Sequence, residues 1–137
     1  VLALQPAPET DLARLFRDDE TWAPIAAALS SVIAPDVQVE APDFFDFPEP
    51  INGVDGLRTA WLQWLSPWEH YRAEVEDAID CGDRVLLLIR DYGRRSNEAR
   101  EVAILSGAVW TIAGGKVVRV SFYAHRAAAR RAAGLEA

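Results

Sequence analysis

The second half of the chain constrains its fold most. From Tyr71 to Ala124, strand-like runs alternate with short turn signals and no helical period intervenes. Asp80-Cys81-Gly82-Asp83 and Ala113-Gly114-Gly115-Lys116 read as tight turns, and Gly93 to Arg100 as a polar hairpin loop. These breaks delimit strands at Tyr71 to Ile79, Arg84 to Tyr92, Glu101 to Ile112 and Val117 to Ala124. Connections this short join antiparallel neighbours, so the segment predicts a four-stranded antiparallel meander.

The first half is mostly helical. Residues 1–9, with Pro6 and Pro8, read as a loose arm. Thr10 or Asp11 can cap a short helix through Phe16, and Thr21 can cap a second from Trp22 to Ile33, with Pro24 in its first turn. Val37 to Ala41 alternates as a short strand, and Asp55 can cap a third helix, Gly56 to Leu65. Between them, Pro42 to Gly53 is too broken by proline for a regular element; its Phe44, Phe45 and Phe47 need burial, which suggests a flap over a pocket mouth. A final helix from Arg126 to Ala133 ends at Gly134. With 137 residues, half of them hydrophobic, the expectation is one α+β domain over 1–137: a curved antiparallel sheet forming a cone closed by N-terminal helices.

Val85 to Ile89 and Val102 to Ile112 are apolar on both parities, whereas a sheet with one wet face alternates. Both faces therefore need cover. The helices cover one, and a homodimer packed sheet to sheet is the economical cover for the other.

Charge and cysteine content narrow the partners. Fourteen basic against twenty-one acidic residues give a net charge of −7, which repels phosphate backbones and disfavours nucleic acid. The basic clusters Arg94-Arg95 and Arg126 with Arg130-Arg131 read as a solvated loop and a helix face. Cys81 is the one cysteine, so neither a disulfide nor a cysteine zinc cluster forms within the chain. His70 and His125 lack further ligands in sequence, so no metal or other cofactor is expected. No apolar run approaches membrane-spanning length, and the start Val1-Leu2-Ala3-Leu4-Gln5-Pro6 lacks the basic region of a signal peptide. A cytoplasmic location is the expectation.

The order of elements, with several motifs, resembles the nuclear-transport-factor-2-like superfamily and, within it, the SnoaL-like group. The resemblance rests on Asp36-Val37 after Pro35, on Gly53-Val54-Asp55-Gly56-Leu57 with Trp61, on Gly82-Asp83-Arg84-Val85, and on Val109-Trp110-Thr111-Ile112 followed by Gly115-Lys116-Val117-Val118-Arg119 and Tyr123. It runs from about Thr21 to Leu135. It implies a cone-shaped sheet around a deep apolar cavity, and usually a dimer. The superfamily holds steroid isomerases, polyketide cyclases, dehydratases and epoxide hydrolases beside non-catalytic domains, so fold alone selects no function.

The enzymes of that superfamily work by acid–base chemistry with cavity carboxylates, tyrosines and histidines. Several of their acid positions carry other residues here. The steroid isomerases' Val-Glu-Asp-Pro stretch corresponds to Val39-Glu40-Ala41-Pro42, their second acid falls near Gly107-Ala108, and the last-strand aspartate of the epoxide hydrolases and cyclases falls at Phe122. Asp91 remains. It shares parity with Val85, Leu87 and Ile89, and faces a cavity if they do. His125, at the entry to the last helix, is the second acid–base candidate, against a simple capping role. Asp43 and Asp46 read as loop-forming, His70 as a surface residue, and Cys81 as incidental. Trp22, Trp61, Trp64, Tyr92, Trp110, Phe122 and Tyr123 are the candidate walls of a pocket for a small hydrophobic, aromatic or polycyclic molecule. Three readings follow: a binding module, a cofactor-free enzyme of cyclase, isomerase or dehydratase type, and a structural dimer with a filled cone.

Overall fold

The computed structural model describes residues 8–41 and 51–135. The chain runs α1 (Leu12–Arg17), α2 (Asp19–Leu29), β1 (Ile33–Glu40), β2 (Ile51–Asn52), α3 (Gly53–Leu65), β3 (Trp68–Asp80), β4 (Arg84–Arg95), β5 (Val102–Ala113), β6 (Lys116–Tyr123) and α4 (Arg126–Ala132). The six strands form one curved, open sheet in the order β2-β1-β6-β5-β4-β3. β3 to β6 pair as the antiparallel meander that the turns predicted. β1 joins it parallel to β6, so the sheet is mixed rather than purely antiparallel.

Local chemistry moves several helix ends from their expected places. Asp18 ends α1 and caps α2 with its carboxylate, which accepts from the Glu20 N–H and the Thr21 hydroxyl. Thr21 thus serves the Asp18 cap instead of being one, and Pro24 lies in the second turn of α2. The helix also ends early, because Ser30 and Ser31 turn their hydroxyls back onto the Ala26 and Ala28 carbonyls. Ile33 is thereby freed to open β1, fully buried. α3 starts at Gly53 with Asn52 as its cap, and Asp55 lies in its first turn, where a carboxylate favours the positive helix end. The Phe-rich segment with Asp43 and Asp46 and most of the N-terminal arm lie outside the described residues.

The β5–β6 hairpin closes through Gly114 and Gly115, at φ of 60° and 78°. Two successive positive φ values make the tight turn whose twist suits a hairpin, which is why glycine occupies both positions.

The sheet's concave face carries Val37 and Val39 of β1, Leu87 of β4, Ala108 and Trp110 of β5, and Val120 of β6, packed with Leu57 and Ala60 of α3. A second cluster joins Phe16 of α1, Trp22 of α2 and Leu65 of α3 to Trp68 and Tyr71 of β3. Arg17 ties these layers together by donating to the Leu65 and Trp68 carbonyls at 2.5 and 2.6 Å. On the convex face, α4 lays Ala129 and Ala133 over Leu86, Leu88 and Val109. The second apolar parity of β4 is thus covered in part by the chain's own last helix, an element too short and alanine-rich to stand out as a cover in sequence.

Candidate functional site

Between the N-terminal helices and the concave face lies a cavity of about 350 Å³. Helices supply Phe16, Trp22, Trp61 and Trp64, and the sheet supplies Tyr71, Val75, Ile89, Ile104, Trp110 and Phe122. Phe16 stacks on Trp61 with ring centroids 5.0 Å apart, and Trp61 meets Phe122 and Tyr71 edge-on at 5.7 and 6.2 Å. Trp110 keeps its indole N–H buried with no hydrogen-bond partner among the described residues.

Of the described side chains bordering this space, Asp91 is the one that carries a charge. It is 4% exposed. The sheet register explains its partners. Asp91 lies opposite Ala73 on β3 and Ile104 on β5, so Tyr71 and Ser106 reach it along the two diagonals, from opposite ends. The Ser106 hydroxyl hydrogen-bonds one carboxylate oxygen, and the Tyr71 hydroxyl hydrogen-bonds the carboxylate as well. Trp64 of α3 hydrogen-bonds Tyr71 in turn. An indole N–H can only donate, so the Tyr71 oxygen accepts from Trp64 and passes its own proton toward Asp91.

Burial pushes the Asp91 carboxyl up to about 6, against the pull of Ser106, Tyr71 and the Arg126 charge. Burial, followed by the Asp91 charge, also raises Tyr71 above the ordinary tyrosine range and keeps its proton on. The pair therefore offers a carboxyl that exchanges a proton near neutral pH beside a hydroxyl that stays a donor.

Trp22, Trp61, Trp64, Trp110 and Phe122 border the cavity, and Tyr123 borders both the cavity and the cluster under α4. Tyr92 does not border it. As the strand neighbour of Asp91 it points to the opposite face, where the Arg72 guanidinium lies 3.9 Å from its ring centre. His125 does not border it either; it is the backbone cap of α4, without a side-chain capping bond. Asp91 and His125 are therefore not two halves of one site. Ala41, Ala108 and Phe122 do line the cavity, so the positions where the resemblance places other acids face inward and are apolar here. Glu40 points away and accepts from the Ser121 hydroxyl at 2.6 Å. His70 is exposed and meets the Asp11 carboxylate at 2.8 Å.

Tyr71 and Ser106 escaped the sequence reading. The available signal was weak: a serine at the inward parity of the apolar β5, and a tyrosine in step with Ala73 and Val75 on β3. Among the described residues no group of three or more His, Cys, Asp or Glu could hold a metal ion. No helix among them is long and apolar enough to cross a membrane.

The family model for the SnoaL-like domain matches residues 13–120. Solved structures of similar fold include a protein provisionally assigned as a SnoaL-like polyketide cyclase from Jannaschia sp. CCS1, at 16% identity and a TM-score of 0.58, covering 86% of this chain and 89% of that one. A protein of ketosteroid isomerase-like fold from Catenulispora acidiphila, crystallised in complex with trimethylamine, is 14% identical with a TM-score of 0.59 over 96% and 95% of the two chains. TerC, co-crystallised with polyporic acid, is 18% identical with a TM-score of 0.61 over 89% and 92%. At these identities the likeness is one of fold. Among curated proteins no sequence match was found.

Proposed function

This chain belongs to the SnoaL-like domain family, and we propose that it binds one small, largely apolar molecule in the cavity between its helices and its sheet. The observation that carries this reading is a space of about 350 Å³ walled by aromatic rings, with a single carboxyl at its side among the described residues. Apolar walls supply affinity, and one convergent polar group supplies orientation. Flat rings at several angles suit a flat or polycyclic guest. That two proteins of this fold were crystallised with small organic molecules supports a ligand-binding reading. A homodimer through the uncovered part of the convex face belongs to the same proposal, supported by Leu105, which is 47% exposed on that face. So does a cytoplasmic location, supported by the single, unpaired Cys81.

A thermal-shift screen against steroids, polyketide-like aromatics, terpenoids and fatty acids tests the binding. A guest at a hundred times its Kd adds about 2.7 kcal/mol to stability, which is readily measured. Silence across the panel, together with exclusion of xenon from the cavity, would reject the reading and favour a filled structural dimer.

A second reading, a cofactor-free acid–base enzyme of cyclase, isomerase or dehydratase type, is favoured by one observation: Asp91 titrates near neutrality beside the Tyr71 hydroxyl. In that reaction Asp91 takes up a proton from a carbon next to a carbonyl, the C–H electron pair moves onto the carbonyl oxygen as an enolate, and Tyr71 stays protonated. A guest found in the screen should then turn over with the wild type and only bind to Asp91→Asn. Equal turnover by both proteins would remove Asp91 from the chemistry.

A further inference from the structure

Resting on the binding reading above, we infer that the occupant this cavity selects is a cationic amine, seated with its ammonium group against Asp91 and its carbon framework on the aromatic walls. The first reason is the direction of the hydrogen bonds. Trp64 must donate to Tyr71, so the Tyr71 proton points at Asp91, and the Ser106 hydroxyl closes on the carboxylate from the other diagonal. Two donors thus converge on Asp91, which suits it to accept once it is ionised.

The second reason is the missing counter-charge. No lysine, arginine or histidine borders the cavity among the described residues. The basic group that acts on Asp91 is Arg126, and it is engaged elsewhere: it donates to the Ile89 carbonyl at 3.0 Å and pairs with Glu76. From α1 and α2 the cavity receives Leu12, Leu15, Phe16, Trp22, Ile25 and Leu29, all uncharged. With Arg126 outside the cavity and paired to Glu76, the Asp91 charge is answered only in part, and an incoming cation on the cavity side answers the rest.

The third reason is the wall itself. Phe16, Trp61, Trp64, Tyr71 and Phe122 form one continuous set of rings with centroid separations of 5.0 to 6.2 Å. Aromatic faces carry the negative part of the ring quadrupole and accept alkylammonium groups. The same features disfavour an anionic guest, because a carboxylate or phosphate would meet Asp91 with no cationic side chain among the described lining residues to offset the repulsion.

The test compares benzyltrimethylammonium, whose charge does not change with pH, with neopentylbenzene, its neutral carbon isostere, by calorimetry or tryptophan fluorescence. The wild type should bind the cation at least tenfold more tightly than the isostere at pH 8. Since Asp91 titrates near 6, cation binding should weaken about tenfold at pH 5 while isostere binding stays level. Asp91→Asn should lose the preference for the cation and keep the isostere, whose retained binding also shows that the variant is folded. If that variant does not fold, the pH comparison in the wild type decides alone. Isostere binding as tight as cation binding, with no pH effect, overturns the amine inference and leaves the cavity reading standing. Binding of neither compound overturns the amine inference too, and the thermal-shift screen then judges the cavity reading separately.

Discussion

Tyr71 on β3 and Asp91 on β4 are linked by a hydrogen bond across one diagonal of the sheet, and the orientation of that bond is fixed from outside the pair by Trp64 on α3. A helix residue thus sets which way a proton points inside the sheet. Two of the three residues come from β-strands adjacent in the meander, and the third from the layer that roofs the cavity.

Removing the Tyr71 hydroxyl should make Asp91 harder to ionise. A hydrogen bond to a charged group is worth about 1.5–3 kcal/mol, and about 1.36 kcal/mol corresponds to one pKa unit. Tyr71→Phe should therefore move the Asp91 titration upward from near 6 by about one to two units. Carboxyl carbon NMR on the two proteins measures it. An unmoved titration would mean that the hydroxyl does not serve the carboxylate.

Asp91 should cost the unliganded protein stability at alkaline pH. Its folded pKa of about 6 lies above the unfolded value of about 3.9, so the folded state favours the protonated form. The contribution is fully present below about pH 4 and is lost as pH rises through 6, amounting to about 3 kcal/mol by pH 8. Asp91→Asn should accordingly be more stable than the wild type at pH 8, by about 1–3 kcal/mol, since the amide matches the two hydroxyl donors only in part. The advantage should shrink or vanish at pH 4. Urea unfolding at both pH values reads the difference, and a gap independent of pH would contradict the assignment.

Asp11 should show the opposite sign. Burial would raise its pKa, but hydrogen bonds from His70, the Tyr71 N–H and the Ala13 N–H outweigh it and hold the carboxyl below the usual range. The stability it contributes is present above the unfolded pKa and is lost as pH falls through the folded one. Asp11 caps α1 and anchors it to β3, so Asp11→Ala should cost about 1–2 kcal/mol at pH 7. Thermal unfolding of the two proteins at pH 7 and at successively lower pH should show the gap narrowing as the folded carboxyl is protonated.

Gly107 should tolerate no side chain beneath α4. A Cβ there would stand 2.6 Å from the Cβ of Ala129, which is fully buried. Gly107→Ala should destabilise the fold by about 1–3 kcal/mol, the usual cost of overpacking. Ala129→Gly in the same chain should recover part of it. A double-mutant cycle that comes out additive would show that the helix does not press on this glycine.

The meander could be read from sequence because its turns are local. Gly114-Gly115 forces a hairpin whatever surrounds it, and the period of two within a strand follows from the backbone. Helix ends were less legible because they depend on competition among neighbours, as when Asp18 took the cap from Thr21 and two serines closed α2 before Ile33. Parity alone determined that Asp91 and Tyr92 face opposite sides of β4. Which side was the inside was another matter. Only the tertiary structure decided it, by placing the N-terminal helices over the Asp91 face and α4 over Leu86 and Leu88. The Trp64–Tyr71–Asp91–Ser106 chain was likewise settled by packing. Its members come from four separate elements, and no local rule of propensity or period carries contacts of that range; they exist because burial brings those elements into one layer, where an unpaired polar group is costly.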